Sequence, residues 1–124
     1  MTFRVTGLDH VQITAPEELI DEVLEYYRDC LRLEPLEKPE GARPQGGWFR
    51  IGEGQLHVSV DPHNPSKAAH FGIAVDDFVE VVDRLRECGV HIEQAKQIPG
   101  RRRCYTRDPA GNRIEIMSYV ADSA

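Results

Sequence analysis

Three residues of the kind that bind divalent metals lie on three separate predicted strands of this 124-residue chain. His10 lies in the segment LDHVQI, His70 in AHFGIAV and Glu115 in RIEIM. Two imidazoles and a carboxylate that leave coordination positions open suit Fe(II), and they also suit Mn, Ni or Zn. The three residues therefore predict a divalent-metal site if the fold brings their strands together. The alternative is that each is an ordinary polar residue on a half-exposed strand.

The spacing of these residues indicates an internal repeat. His10 and His70 lie 60 positions apart, and His57, in the segment LHVSV, lies 58 positions before Glu115. Each half therefore begins with a strand that carries a histidine and ends with a strand that carries a possible metal ligand. A repeat of this kind predicts two copies of one structural unit.

Each half contains the pattern of a strand, a helix and three further strands. Apolar residues recur at helical spacing over residues 16–31 in the first half. In the second half, Asp76 and Asp77 precede a helix that Gly89 is suited to end. We predict a single domain over residues 1–124, of α+β class, with βαβββ modules at about 6–60 and about 68–119.

Alternation along the strands predicts which side chains share a face, because successive side chains point to opposite sides of a sheet. The polar or small faces carry His10 with Gln12, His57 with Ser59, His70 with Gly72, and Glu115 with Arg113. The opposite faces are aliphatic, as helix packing requires. If the polar faces curve together, their small residues leave room for a cavity.

Composition narrows the classes of partner. A net charge of −6 argues against nucleic acid, since phosphate binding depends on Lys and Arg. The chain has no apolar run near the roughly 20 residues that a membrane span needs, and its polar N-terminus is unlike a signal peptide. Cys30, Cys88 and Cys104 are odd in number and widely spaced, which favours reduced thiols and a cytoplasmic location.

Four segments resemble the glyoxalase/bleomycin-resistance/extradiol-dioxygenase superfamily, also called the vicinal oxygen chelate proteins. They are LDHV at 8–11, YYRDCLRL at 26–33, the stretch 70–89 and YTRDPAGNRIE at 105–115. The resemblance implies paired βαβββ modules whose mixed sheets curl around a divalent metal. It also implies that His10, His70 and Glu115 are the metal ligands, with His57 at the remaining ligand position.

The resemblance implies an enzyme that acts on a small oxygenated substrate, whose oxygens chelate a metal that serves as a Lewis acid. The reaction is either that of a glyoxalase-like lyase or isomerase, or that of an extradiol-type dioxygenase. Glyoxalase I enzymes usually carry a glutamate where His57 stands. Tyr105 matches a tyrosine before the final ligand of the dioxygenases, but residues 94–104 lack the histidine of their signature. The alternative is an antibiotic-type binding or sequestering protein without catalysis.

Several residues near these positions have two or more interpretations. His57 is a fourth ligand, a general base or a cavity wall, and Tyr105 is catalytic or lies on a solvated strand. Trp48 lines a substrate pocket or packs in the core. Arg103, within a cluster of three arginines, binds an anionic substrate group or is solvated.

We also predict a homodimer, because open sheet edges need covering and the resembled family often pairs its chains. Whether one chain or two supply the ligands stays open.

Overall fold

The first half of the fold begins with a strand and a helical segment and ends with three strands. In the computed structural model, which describes residues 2–120, these are β1 (His10–Ala15), a 3-10 turn (Glu17–Leu19), α1 (Ile20–Glu25), a π-helical turn (Tyr26–Cys30), β2 (Pro35–Leu36), β3 (Gly47–Ile51) and β4 (Gly54–Val60).

The second half repeats this order of elements. It contains β5 (His70–Ala74), α2 (Phe78–Glu87), β6 (Glu93–Gln94), β7 (Arg101–Arg107) and β8 (Arg113–Tyr119). The predicted α+β fold of two βαβββ modules is therefore confirmed.

The two sheets have the same strand order. The first runs β1-β4-β3-β2 and the second β5-β8-β7-β6, so that the first strand of each module lies at one edge of its sheet. This strand is parallel to its neighbour, and the other pairs are antiparallel. The register places Trp48 opposite His57, and both Tyr105 and Gly72 opposite Glu115. Trp48 and His57 are thus cross-strand neighbours in the first sheet, and Tyr105 and Glu115 are cross-strand neighbours in the second.

The helical segment of the first module begins where it was predicted but changes type along its length. Glu17 and Glu18 lie in its first turn, where carboxylates interact favourably with the helix dipole. Its last turn is π-helical, with Leu31 N donating to Tyr26 O at 3.1 Å. The wider turn accompanies the burial of two adjacent side chains, Tyr26 and Tyr27. The prediction of one helix over 16–31 is correct in position but not in helix type.

The second helix agrees with the signals in its sequence. The Asp77 carboxylate caps its N-terminus by accepting a hydrogen bond from Glu80 N at 3.1 Å. Gly89, with φ of +78°, follows its end in the left-handed region. Val82 and Leu85 are buried on its inner face.

One hydrophobic core joins the aliphatic faces of both sheets to both helical segments. Of the strand residues that alternation assigned to these faces, Leu56, Val58, Ile114 and Ile116 are buried, and others such as Val11 and Phe71 are half-buried. The alternation therefore predicted correctly which face of each sheet packs inward. No helix in residues 2–120 has the length and hydrophobicity to cross a bilayer.

The cysteines correct one prediction. Cys30 and Cys88 form a disulfide, with their Cα atoms 6.2 Å apart, and Cys104 is a buried free thiol. The expectation of three reduced thiols is therefore wrong for the first two. They lie 58 positions apart, the same spacing as His57 and Glu115, and so occupy equivalent places in the two modules. Packing of the two helical segments brings Cys30 and Cys88 together, and the spacing of the cysteines along the sequence did not predict this contact.

Candidate functional site

Three aromatic rings form a stack on the polar face of the first sheet. The Trp48 and His57 ring centroids are 3.8 Å apart, with an angle of 5° between the ring planes, because these residues lie opposite each other on β3 and β4. On its other side His57 stacks on His10, with centroids 4.3 Å apart and an interplanar angle of 16°. The stack fixes both histidines and extends the flat surface that the Trp48 indole presents.

His57 is a neutral imidazole near neutral pH. It is buried, and its Nε2 donates to Gln55 Oε1 at 2.8 Å. Burial lowers the pKa of His57, the nearby His10 lowers it further, and Asp9 partly opposes both effects. Its Nδ1 is therefore left as a hydrogen-bond acceptor or a metal donor.

A second cluster surrounds Glu115 on the polar face of the other sheet. Its Oε1 lies 3.6 Å from His70 Nε2 and accepts a hydrogen bond from Arg103 Nη2 at 3.1 Å. Arg103 Nη2 also donates to the Tyr105 hydroxyl at 2.5 Å. The Tyr105 ring packs edge-on against the His70 ring, with centroids 5.1 Å apart. The Arg113 guanidinium lies over the same tyrosine ring, with its Cζ 3.6 Å from the ring centroid. Glu115 is thus held at the centre of a polar cluster.

The charge on Glu115 is stabilised by its neighbours. Burial by itself would raise the pKa of this carboxyl, but the hydrogen bond and the charge of Arg103 outweigh burial and lower it. His70 and Tyr105 act in the same direction as Arg103. Glu115 is therefore an ionised carboxylate at neutral pH, as a metal ligand must be.

The hydrogen bonds of His10 and His70 determine which ring nitrogen of each is free. His10 Nδ1 lies 2.9 Å from the Asp9 carboxylate, and His70 Nδ1 lies 2.9 Å from the Ala68 carbonyl. These oxygens are acceptors, so each Nδ1 carries the proton and each neutral ring has its lone pair on Nε2. Metal-binding histidines are typically held in this way, by an acceptor on the second nitrogen. Of the two His70 nitrogens, Nε2 is the one that lies near Glu115.

The structure brings the predicted ligands together in two pairs. His10 pairs with His57 on the first sheet, and His70 pairs with Glu115 on the second. Within residues 2–120, no group of three or more His, Cys, Asp or Glu side chains is close enough to hold a metal ion. Each sheet therefore carries half of the predicted ligand set, and the donors of each half are compatible with a divalent ion.

A cavity of about 420 Å³ adjoins the aromatic stack. Trp48, His57 and Gln12 line it, so Trp48 faces a pocket rather than the core. Lys38 and Arg43, which the sequence patterns did not single out, also line it. Lys38 Nζ donates to the Arg43 carbonyl at 2.5 Å and folds this loop beside the cavity. Two basic residues in a segment rich in Gly and Pro were the signal that could have indicated this part of the site.

The fold is an α+β arrangement of paired βαβββ modules, and each module's sheet carries one polar cluster. Sequence comparison identifies the family. The chain belongs to the Glyoxalase/Bleomycin resistance protein/Dioxygenase superfamily, whose family model matches residues 7–116. No curated protein matches the chain.

Solved structures show the same fold. A glyoxalase family protein from Bacillus anthracis is 33% identical, with a TM-score of 0.89 over 97% of this chain and 100% of its own. Lactoylglutathione lyase from Agrobacterium tumefaciens is 24% identical, with a TM-score of 0.72 over 93% and 95% of the two chains. TnmS3, an antibiotic-binding protein from a Streptomyces species, is 17% identical, with a TM-score of 0.77 over 96% and 100%. The last two likenesses concern the fold alone.

Proposed function

We propose that this protein is a divalent-metal-dependent enzyme acting on a small oxygenated substrate, with His10, His70 and Glu115 as the metal ligands. The observation that carries the proposal is the state of the ligand atoms. Both histidines have Nδ1 held by an acceptor and Nε2 free, and the Nε2 of His70 lies beside an ionised carboxylate. Such a donor set suits Fe, Mn, Ni or Zn. When bound, the metal would supply Lewis acidity to substrate oxygens.

The residues around these ligands have separate roles in the proposal. Trp48 offers a flat surface against which a planar substrate packs. Arg103 and Tyr105 hold the Glu115 carboxylate in place. The Arg103 guanidinium also offers a positive charge that binds an anionic group of the substrate. His57, neutral and hydrogen-bonded at Nε2, takes up a proton at Nδ1 or serves as a further ligand there. The reaction is a lyase or isomerase step, or a ring-cleaving dioxygenation.

We propose that the two half-sites meet across a homodimer. Within one chain the histidine pair and the His70–Glu115 pair lie on separate sheets. The strands that begin each module, β1 and β5, lie at open edges and carry His10 and His70. Pairing the first module of one chain with the second module of its partner would cover these edges and join the half-sites.

Metal analysis of the freshly purified protein, with turnover assays on candidate oxygenated substrates, tests this function. We expect a stoichiometric divalent metal in the wild type and a strong loss in the His70→Ala variant, because that change removes the Nε2 donor beside Glu115. The matched control is His91→Ala, which removes an exposed imidazole outside both half-sites. Full metal retention in His70→Ala would refute the ligand assignment.

The His57→Ala variant tests the role of His57. We expect it to stay folded and to lose turnover, whether His57 is a ligand or a base. Metal content separates these two roles, because loss of a ligand weakens metal binding whereas loss of a base leaves the metal bound. If metal content, rate and pH–rate profile all stay at wild-type values, His57 is a cavity wall.

A binding protein without catalysis is the second candidate function. The cavity of about 420 Å³ beside the Trp48–His57 stack favours it, since its volume and its flat aromatic wall suit a planar small molecule. Wild-type protein that binds such a ligand tightly, yet turns over none of the candidate substrates with metal bound, would support this alternative.

We also propose a cytoplasmic location, in surroundings oxidising enough to keep the Cys30–Cys88 disulfide.

A further inference from the structure

Arg103 and Glu115 form the most buried ion pair among residues 2–120. Their side chains are 9% and 13% exposed, whereas every other ion pair in this part of the chain has at least one partner more than 30% exposed. Arg103 reaches Glu115 diagonally across the β7–β8 pair, because the register places Tyr105 directly opposite the glutamate. A mostly buried carboxylate needs a counter-ion, and Arg103 is the permanent cation that the chain supplies.

One oxygen of the Glu115 carboxylate has two neighbours. Its Oε1 accepts the hydrogen bond from Arg103 Nη2 at 3.1 Å, and the same oxygen lies 3.6 Å from His70 Nε2. The second distance is too long for a hydrogen bond. It is close to the ~3.4 Å that separates two ligand atoms on one tetrahedral ion with bonds of about 2.1 Å. A metal ion held by His70 and Glu115 would therefore compete with Arg103 for this oxygen.

The Arg103 guanidinium is also held by two acceptors other than Glu115. Its Nη1 donates to the Lys96 carbonyl at 2.5 Å, and its Nη2 donates to the Tyr105 hydroxyl at 2.5 Å. Neither contact involves the carboxylate, so the guanidinium stays in place when Glu115 turns away from it. Its positive charge then remains beside the ligand pair. Like charges repel more strongly at such a mostly buried site than they do in water.

We propose that Arg103 is an internal counter-ion of Glu115 that competes with the divalent metal and thereby sets how tightly the site binds it. This inference rests on the proposed function, in which His70 and Glu115 are metal ligands. Without metal, the guanidinium neutralises the carboxylate and holds the cluster together. With metal bound, the charge of Arg103 opposes that of the ion. The Nη2 donor released from Glu115 becomes available to an anionic group of the substrate.

Metal affinities of Arg103 variants test the proposal, with Zn²⁺ as the probe, in competition with a chromogenic chelator at pH 8, where carboxylates are ionised. Arg103→Gln keeps a hydrogen-bond donor but removes the charge, and we expect it to bind Zn²⁺ about tenfold more tightly than the wild type. Arg103→Lys keeps the charge and should stay within about twofold of the wild type.

Thermal unfolding gives a second readout that a merely positioning role of Arg103 would not produce. Metal-free Arg103→Gln should unfold at a lower temperature than the metal-free wild type, because Glu115 has lost its counter-ion. Saturating Zn²⁺ should remove most of this difference, since the metal replaces the missing cation. A variant that folds only when Zn²⁺ is present gives the same support. In the wild type, added Zn²⁺ should shift the Arg103 guanidinium NMR signals, and this measurement needs no variant.

Arg102→Gln is the matched control, because it removes one positive charge from an exposed position of the same strand and should leave the Zn²⁺ affinity unchanged. The proposal is overturned if Arg103→Gln binds Zn²⁺ no more tightly than the wild type, if Arg103→Lys gains as much affinity as Arg103→Gln, or if bound Zn²⁺ leaves the Arg103 signals unshifted. Zn²⁺ binding by Arg103→Gln but not by the wild type would refute the metal dependence of the native protein and support the competition. Absence of binding in both would refute both.

Discussion

A heterodimer of His10→Ala and His70→Ala chains should recover metal binding that neither variant has as a homodimer. If each site combines the first module of one chain with the second module of its partner, one site of this heterodimer contains both substitutions. The other site contains neither, and it is intact. Co-expression of the two variants with different tags, purification through both tags and metal analysis measure the recovery. The expected result is half of the wild-type metal content per dimer.

The reversed pairing is the matched control. A heterodimer of wild-type chain with the double variant His10→Ala/His70→Ala should bind almost no metal, because each of its cross-chain sites lacks one histidine. Sites built within one chain would give the opposite pattern, with no recovery in the first heterodimer and half occupancy in the second. Light scattering at micromolar concentration tests the homodimer itself, and a monomeric mass would contradict it.

Asp108→Ala should lower the free energy of unfolding by about 3 to 5 kcal/mol, because several buried donors lose their acceptor at ~1 to 3 kcal/mol each. The Asp108 carboxylate is buried, and it accepts the Tyr27 hydroxyl at 2.7 Å, the Ala110 amide at 2.9 Å, and the Asn112 amide and side chain at 3.0 and 2.9 Å. Asn112 Nδ2 also donates to Thr14 O at 2.9 Å, which links this network to the first module. The substitution leaves a fully buried tyrosine hydroxyl without an acceptor, and that accounts for much of the loss.

Urea denaturation under non-reducing conditions measures the change, as a shift of the midpoint at constant slope. Asp83→Ala is the control, because it removes an exposed carboxylate from α2 that forms no ion pair within the described residues; we expect less than ~0.5 kcal/mol. A loss for Asp108→Ala as small as that of the control would show that the network does not stabilise the fold.

The repeat and the strand alternation predicted much of the architecture, because both depend on local geometry. Burial of Leu56 and Ile114 follows from side chains that point to opposite faces at successive positions. The Asp77 cap and the Gly89 end of α2 follow from the preferences of single residues at helix ends.

Features that depend on packing between distant segments were beyond such patterns. Alternation placed His57 on a polar face, but its stacking between Trp48 and His10 depends on the registers of β3 and β1 against β4. The separation of the ligands into two pairs depends on how the sheets are placed in space, and Arg103 became a partner of Glu115 through the β7–β8 register. The family resemblance indicated the type of ligand but not how one chain distributes the ligands.

The disulfide has a consequence for how the chain matures. Cys30 leaves the ribosome well before Cys88, and during synthesis the first module folds ahead of the second. Their sulfur atoms can meet when the two Cα atoms come within about 7 Å, which requires both helices to be in place. We therefore expect the disulfide to form late in folding, only after both modules have folded and packed together. A nascent chain that stalls with one module unfolded would keep Cys30 and Cys88 as free thiols.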